Sequence, residues 1–187
     1  MTDHDLSTEA NWIRRCKSGD REAFSLLVKR YMKPAYYAAL TFLGSHSDAL
    51  DASQEAFVRA FRAMPTFDEG KRFYTWYYRI LKNYCLNLLR ARRAPIVPMS
   101  AMEPNLDPAS AEPHADTVME QEERKRAVWD ALWKLDAEDR ELLVARDILE
   151  TPYATLAELL DVPIGTVMSR LYHARRRLRE QLGEEWR

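Results

Sequence analysis

Five of the nine prolines, Pro95, Pro98, Pro104, Pro108 and Pro113, fall between Ala94 and Asp116, with Ser, Ala, Asn and Asp among them. Proline lacks a backbone N–H and fixes φ, so a stretch this rich in it is expected to form neither helix nor sheet. The chain should therefore be two folded pieces joined by a semi-extended, flexible linker. We expect an N-terminal domain at 1–94, a linker at 95–117 and a C-terminal domain at 118–187. With 187 residues, 47% of them hydrophobic, two small domains can each enclose a core.

Outside the linker the apolar spacing is helical, with no convincing alternating strand and no hairpin dipeptide such as Asn-Gly, so the fold class is all-α. A first helix is expected from about Thr8 to Ser18, stopping at Gly19. Asp20 then caps a second helix that carries Phe24, Leu27, Val28 and Tyr31, with Pro34 kinking or interrupting it before Tyr37, Leu40 and Leu43. After Gly44-Ser45-His46-Ser47, a third helix puts Leu50, Ser53, Phe57, Phe61 and Met64 on one stripe and ends at Pro65. The fourth follows Phe67-Asp68-Glu69-Gly70. Its core face should hold Phe73, Trp76, Tyr77, Ile80, Leu81, Tyr84 and Leu88, with Tyr74 and Tyr78 assigned to neither face.

Beyond the linker a helix should carry Val128, Ala131, Leu132 and Leu135, and Asp136 with Asp139 opens the next, with Leu142, Leu143 and Ile148. Tyr153 to Leu160 reads as a short helix, Asp161-Val162-Pro163 as a tight connection, and Ile164 to Leu182 as a longer helix. That is helix-turn-helix spacing. Val167, Leu171, Ala174, Leu178 and Leu182 form its buried stripe, which leaves Met168, Ser169, Tyr172, Arg175, Arg176 and Arg179 outward, as on a recognition helix.

Charge is segregated, although the net charge is only -1. From Lys71 to Arg93 the basic residues are Lys71, Arg72, Arg79, Lys82, Arg90, Arg92 and Arg93, and there is no acid. From Ala94 to Glu123 the pattern reverses, with no Lys or Arg. Arg170, Arg175, Arg176, Arg177 and Arg179 then precede the acid Glu180. On the fourth helix Arg72, Thr75, Arg79, Lys82, Asn83, Leu86, Arg90 and Arg93 fall opposite the core. A merely solvated face would interleave acids, so two basic surfaces point to two contacts with one polyanion.

Several classes of protein are disfavoured. No run approaches the roughly 18 to 20 apolar residues of a membrane helix, and the acidic, polar start is unlike a signal peptide, so the cytoplasm is the expected location. Cys16 and Cys85 form no CxxC or Cys/His cluster and are expected to be buried small hydrophobes. His4, His46, His114 and His173 lack metal-ligand spacing, and no phosphate loop or nucleophile motif occurs. We expect no metal, no cofactor, no small-molecule substrate and no catalytic residue.

Four motifs, SGDREAFSLLVKRY, DALDASQEAFVRAFRAM, FYTWYYRILKNYCLNLLRARR and PIGTVMSRLYHARRRLRE, occur in this order around the linker. Together they resemble the extracytoplasmic-function sigma factors of bacterial RNA polymerase, over nearly the whole chain. The resemblance implies two domains, sigma-2 and sigma-4, in a non-catalytic subunit that binds core polymerase, recognises the -10 and -35 promoter elements and helps open the DNA. It implies that the third helix, through Asp48, Asp51, Gln54 and Glu55, docks on the clamp helices of the largest polymerase subunit, with a second contact to the flap. A charged solvent face with a Glu55–Arg59 pair is the competing reading of those residues. For the -10 element the matching residues are Arg72, Thr75, Arg79, Lys82, Asn83 and Arg90, with Asn83 at a base pocket and the loop from Thr66 to Arg72 around a flipped base.

For the -35 element they are Thr166, Met168, Ser169, Tyr172, His173, Arg175, Arg176 and Arg179, with Arg175 and Arg179 read as phosphate clamps. Any of these arginines could instead solvate the helix end. The chain departs from its relatives where they commonly carry Lys or Arg, here Met168, and Gly, here Asp161. Met168 cannot make a bidentate contact to guanine. The family also implies an anti-sigma partner that holds the protein inactive. The competing functions are a regulator that binds duplex DNA unaided, a nucleic-acid enzyme and a protein adaptor. The first leaves the basic stripe after Gly70 unexplained, the second lacks any catalytic motif, and the two basic faces disfavour the third.

Overall fold

The computed structural model describes the backbone of residues 3–93 and 115–183, and the side chains of 8–92 and 123–183. All regular structure in those residues is helical. The chain divides into two compact units, Met1–Ala101 and Met102–Arg187. The stretch read as a linker lies outside the described residues apart from Ala115, Asp116 and Thr117, which open a helix.

The first unit contains helices α1 (Asp3–Lys17), α2 (Arg21–Leu43), α3 (His46–Ala63) and α4 (Phe73–Arg93), with a 3-10 turn at Met64–Thr66. Local chemistry places the ends. Asp20 caps α2 by accepting from the Glu22 and Ala23 amides at 2.9 and 3.1 Å. Gly44 takes a left-handed conformation, φ 72°, to end α2. Ser45 then caps α3 through the Asp48 amide at 3.3 Å, so α3 starts at His46, inside the loop expected there. α1 begins earlier than expected, at Asp3.

The interruption expected at Pro34 does not occur, because α2 runs through it. A proline inside a helix costs about 3 kcal/mol or more. Against that, α2 buries Ala35, Ala38, Ala39, Leu40 and Phe42 beyond the proline while packing on α1, α3 and α4. α3 faces its neighbours with Ala49, Ala52, Ala56 and Ala60 together with Ser53 and Phe57. These small side chains let the helices approach closely and push Leu50 to the margin. Leu50, expected on the buried stripe, is 45% exposed.

The centre of this unit is aromatic. Phe73 and Tyr77 of α4 are fully buried, Tyr77 stacks on Phe57 at 4.3 Å, and its hydroxyl donates to the Ser53 carbonyl at 3.1 Å. Tyr78 and Cys85 are buried as well, whereas Trp76, Ile80, Tyr84 and Leu88 are half-buried. The buried face of α4 is thus turned away from Trp76 and Ile80, because α2 and α3 both pack on it. Cys16 is buried, and burial raises its thiol pKa to about 11 and that of Cys85 to about 12.

The second unit contains α5 (Ala115–Trp133), α6 (Ala137–Leu143), which continues into a π-helical turn at Val144–Ile148, α7 (Tyr153–Leu160) and α8 (Ile164–Leu182). Asp136 caps α6 through the Asp139 amide at 2.8 Å. Ala131, Leu132, Leu135, Leu142, Leu143, Val144, Leu156, Val167, Leu171 and Ala174 form the core. Ile148, expected inside, is 38% exposed, since the wider π turn swings it outward. Leu178 and Leu182, expected on the buried stripe of α8, are half-buried. Arg140 is buried, donating to the Leu132 and Leu135 carbonyls at 3.2 and 2.9 Å with its guanidinium 3.8 Å from the Trp133 ring. It therefore ties together carbonyls at and just past the end of α5, where the Leu132 carbonyl also accepts the Leu135 amide at 3.2 Å.

Candidate nucleic-acid interfaces

In the first unit the candidate site is the face of α4 opposite the aromatic core. Arg72, Arg79, Asn83 and Arg90 are exposed on it, and Thr75 and Lys82 are half-buried. No Asp or Glu occurs along α4. The side chains of Arg79 and Asn83 make no hydrogen bond or ion pair among the described residues, one helical turn apart on a positive surface. Lys82 leans its ammonium over the Phe42 and Tyr78 rings at 5.5 and 6.0 Å, which holds the side chain against the bundle. Arg90 donates to Asn87 at 2.8 Å. The Thr75 hydroxyl is shielded from solvent without a hydrogen-bond partner among the described residues. Such a group is costly to leave unpaired, so it favours an incoming acceptor or donor.

The loop ahead of α4 is anchored at its base and exposed at its tip. Phe67 is buried against Trp76 and Phe73, with ring centroids at 4.9 and 6.1 Å, and its carbonyl accepts from Lys17 at 3.1 Å. Asp68 accepts the Gly70 amide at 3.0 Å, forming an Asx turn. Asp68, Glu69, Gly70, Lys71 and Arg72 lie on the surface. Tyr74 stacks on Tyr31 at 5.2 Å, and the Tyr31 hydroxyl donates to buried Glu9 at 2.5 Å, so Tyr74 belongs to the packing of the bundle.

On α3, Asp51 and Gln54 are exposed and share the outer face with the exposed Leu50 and Val58. Asp48 and Glu55 point toward α4. Arg92 binds both Asp48 oxygens, at 2.9 and 2.7 Å, and that guanidinium holds the Asp48 carboxyl below its ordinary range. Glu55 accepts from Arg59 at 2.8 Å, and Arg59 lies over the Tyr84 ring at 4.3 Å. The four residues read from sequence as one group therefore split into an outward pair and a pair engaged at the surface by arginines of α3 and α4.

In the second unit the candidate site is the outer face of α8. Met168, Ser169, Tyr172, His173, Arg176 and Arg179 are exposed, and Thr166 is half-buried beside the turn. Pro163 occupies the cap position, and Asp161 reverses the chain from α7 with φ 54° and ψ 47°. Arg176 pairs with Glu180 of the same helix at 3.7 Å, whereas Arg175 reaches off the helix. It is half-buried and bound to Asp147 of the π turn at 3.0 and 2.5 Å, so α8 is braced through one of its expected phosphate clamps. Arg177 is similarly paired with Asp139. Ile164 and Gly165 at the start of α8, which the sequence did not single out for contact, are exposed, as is Arg170 of the expected basic block. Ile164 could have been recognised from its spacing, since it lies one turn before Met168 and outside the Val167–Leu171–Ala174 stripe.

No described helix is long and apolar enough to cross a membrane. No group of three or more His, Cys, Asp or Glu among the described residues could hold a metal ion.

Comparison with known proteins agrees with this two-unit arrangement. The model for Sigma-70 region 2 matches residues 27–94, and that for Sigma-70, region 4 matches 125–178. The sigma-E factor of Haemophilus influenzae is 33% identical over 181 residues, covering 94% of this chain and 95% of that one. That of Escherichia coli is 33% identical over 174 residues, covering 90% and 91%. Among solved structures, CnrH in complex with the cytosolic domain of CnrY superposes with a TM-score of 0.66 at 26% identity, covering 91% of this chain and 94% of that chain. The Bartonella quintana sigma factor RpoE, in complex with the anti-sigma factor NepR, gives 0.61 at 22% identity, covering 85% and 96%. The chain belongs to the extracytoplasmic-function (ECF) sigma factors of RNA polymerase.

Proposed function

We propose that the face of α4 binds and holds open the -10 element while α8 reads the -35 element as duplex. The observation that carries this is the pair Arg79 and Asn83, exposed and unengaged on a helix face without an acid. An arginine beside an amide that donates and accepts suits a single-stranded base held next to its phosphate. The shielded, unpartnered hydroxyl of Thr75 supports the same surface, as do Arg72, Lys82 and Arg90. The loop from Thr66 to Arg72, rigid at Phe67 and exposed beyond it, is suited to close over a flipped base. In α8, Thr166, Ser169, Tyr172, His173 and Arg176 are the base-edge candidates and Arg179 the phosphate clamp.

The outer face of α3 is the contact to the polymerase clamp helices. Leu50 and Val58, 45% and 43% exposed, supply an apolar strip, and Asp51 and Gln54 supply its polar partners. Asp48 and Glu55 support it from the side, tied to Arg92 and Arg59. The second unit meets the flap. The protein acts in the cytoplasm without catalytic residues of its own, and an anti-sigma partner holds it inactive. That last role is supported by CnrH, which has a similar fold and is seen in complex with CnrY.

The test combines purified chain with bacterial core RNA polymerase and measures binding and promoter-specific transcription. A stable complex that initiates at defined promoters is expected. Changing Arg79 and Asn83 together to Ala should lower initiation by about tenfold or more while leaving the complex intact. Tight duplex binding by the chain alone, with no polymerase complex, would overturn the assignment of these surfaces.

A further inference from the structure

Helix α8 carries an apolar strip that faces solvent. Ile164, Met168 and Tyr172 are 47%, 55% and 62% exposed. They succeed one another at intervals of four residues, so they line one side of the N-terminal half of the helix. The hydrophobic core uses a different side, where Val167, Leu171 and Ala174 are buried. The strip is about 12 Å long, the rise of eight helical residues, which matches three to four steps of a duplex at ~3.4 Å each. Arg176, paired with Glu180 at 3.7 Å, continues it at the next interval of four, and the exposed Arg179 lies on the same side of the helix.

Gly165 lies beside the strip, in the first turn of α8. A Cβ added there would meet nothing within 4 Å. Internal packing therefore does not require glycine, although glycine is less favourable than alanine in a helix. Its bare backbone leaves room for another molecule to come close to the start of the helix.

Arg176 and Arg179 on the same side as the strip favour a polyanion, and the strip itself favours an apolar group within that polyanion. In the major groove of duplex DNA one apolar group projects from a base edge, the 5-methyl of thymine. We propose that Ile164, Met168 and Tyr172 read thymine methyl groups in the upstream promoter element, making Met168 a residue that determines specificity for A·T pairs there. This rests on the assignment of α8 to the -35 duplex and deepens it. A basic residue at position 168 would instead favour guanine, whose N7 and O6 accept hydrogen bonds.

The experiment uses holoenzyme assembled from the full chain and bacterial core polymerase, with promoters randomised in the upstream element. Selection should return thymine within the segment facing the start of α8. Replacing that thymine by deoxyuracil, which removes the methyl alone, should weaken binding about fourfold. The uracil effect should shrink in M168A, persist in M168L, and give way to a guanine preference in M168R. Because Met168 is exposed, these variants should fold, and unchanged melting of the free chain verifies it. A selected upstream element insensitive to uracil, or an effect undiminished in both M168A and Y172A, overturns the methyl proposal and leaves the -35 assignment standing. No selected upstream element at all overturns both.

Discussion

Asp161 holds φ 54° and ψ 47°, the left-handed conformation that closes α7 before α8 begins. An L-residue there meets its own Cβ against the carbonyl, at a cost of roughly 1–2 kcal/mol that Asp tolerates better than most. Glycine removes the steric cost but adds ~0.4–1 kcal/mol of unfolded-state entropy, so the two effects partly cancel. Asp161→Gly should stabilise the protein by about 0.5–1 kcal/mol, read as a higher denaturant midpoint with the slope unchanged. A lower midpoint would show that the Asp side chain contributes more than its backbone costs. The two thiols were legible at this scale, since isolated cysteines without ligand spacing behave as small hydrophobes, and both are buried with raised pKa. Asp48 was legible only in part, because its partner Arg92 lies on another helix.

The Arg92–Asp48 pair joins the last turn of α4 to the first turn of α3, so each charge also opposes the dipole of its own helix end favourably. Asp48 is 28% exposed and Arg92 51%, so the contribution is that of a surface pair, about 0.2–1 kcal/mol. The Asp48 carboxyl has a pKa depressed chiefly by its hydrogen bonds from Arg92. Its stabilisation is therefore complete above the unfolded carboxylate value, ~3.9, and is lost as pH falls through the lower folded value. Arg92→Ala should lower stability at pH ~6, and the gap from wild type should close as acidification carries Asp48 through its depressed folded value. Unfolding curves across that range check it, and a gap constant with pH would assign the effect to lost packing. Helix ends and caps such as Asp20, Asp136 and the Tyr153–Leu160 and Ile164–Leu182 boundaries could be read from sequence, because the capping side chains and turn residues act locally. The continuation of α2 through Pro34, the exposure of Leu50 and the burial of Tyr78 could not, because each depends on which neighbouring helix covers that side.

At the scale of the whole molecule, a net charge of -1 conceals two basic faces and an acidic stretch between them in sequence. A near-neutral protein gains little from long-range attraction to DNA, so affinity must come from the local phosphates that each face neutralises. Each such contact releases counterions, and log K falls against log salt with a slope of about -0.9 per phosphate on duplex DNA and about -0.7 on single strands. This separates phosphate clamps from base readers. Arg179 is exposed and carries no acidic partner among the described residues. In the holoenzyme Arg179→Ala should reduce the magnitude of the slope by about 0.9 and weaken all upstream sequences alike. Asn83 has no charge, so Asn83→Ala should lower affinity for the -10 element and leave the slope unchanged. Arg175, already bound by Asp147, should alter the slope less than Arg179 does, unless DNA displaces the aspartate. Equal changes in slope for Arg175→Ala and Arg179→Ala would show that the Asp147 contact opens on promoter binding, and that the brace of the π turn is exchanged for a phosphate.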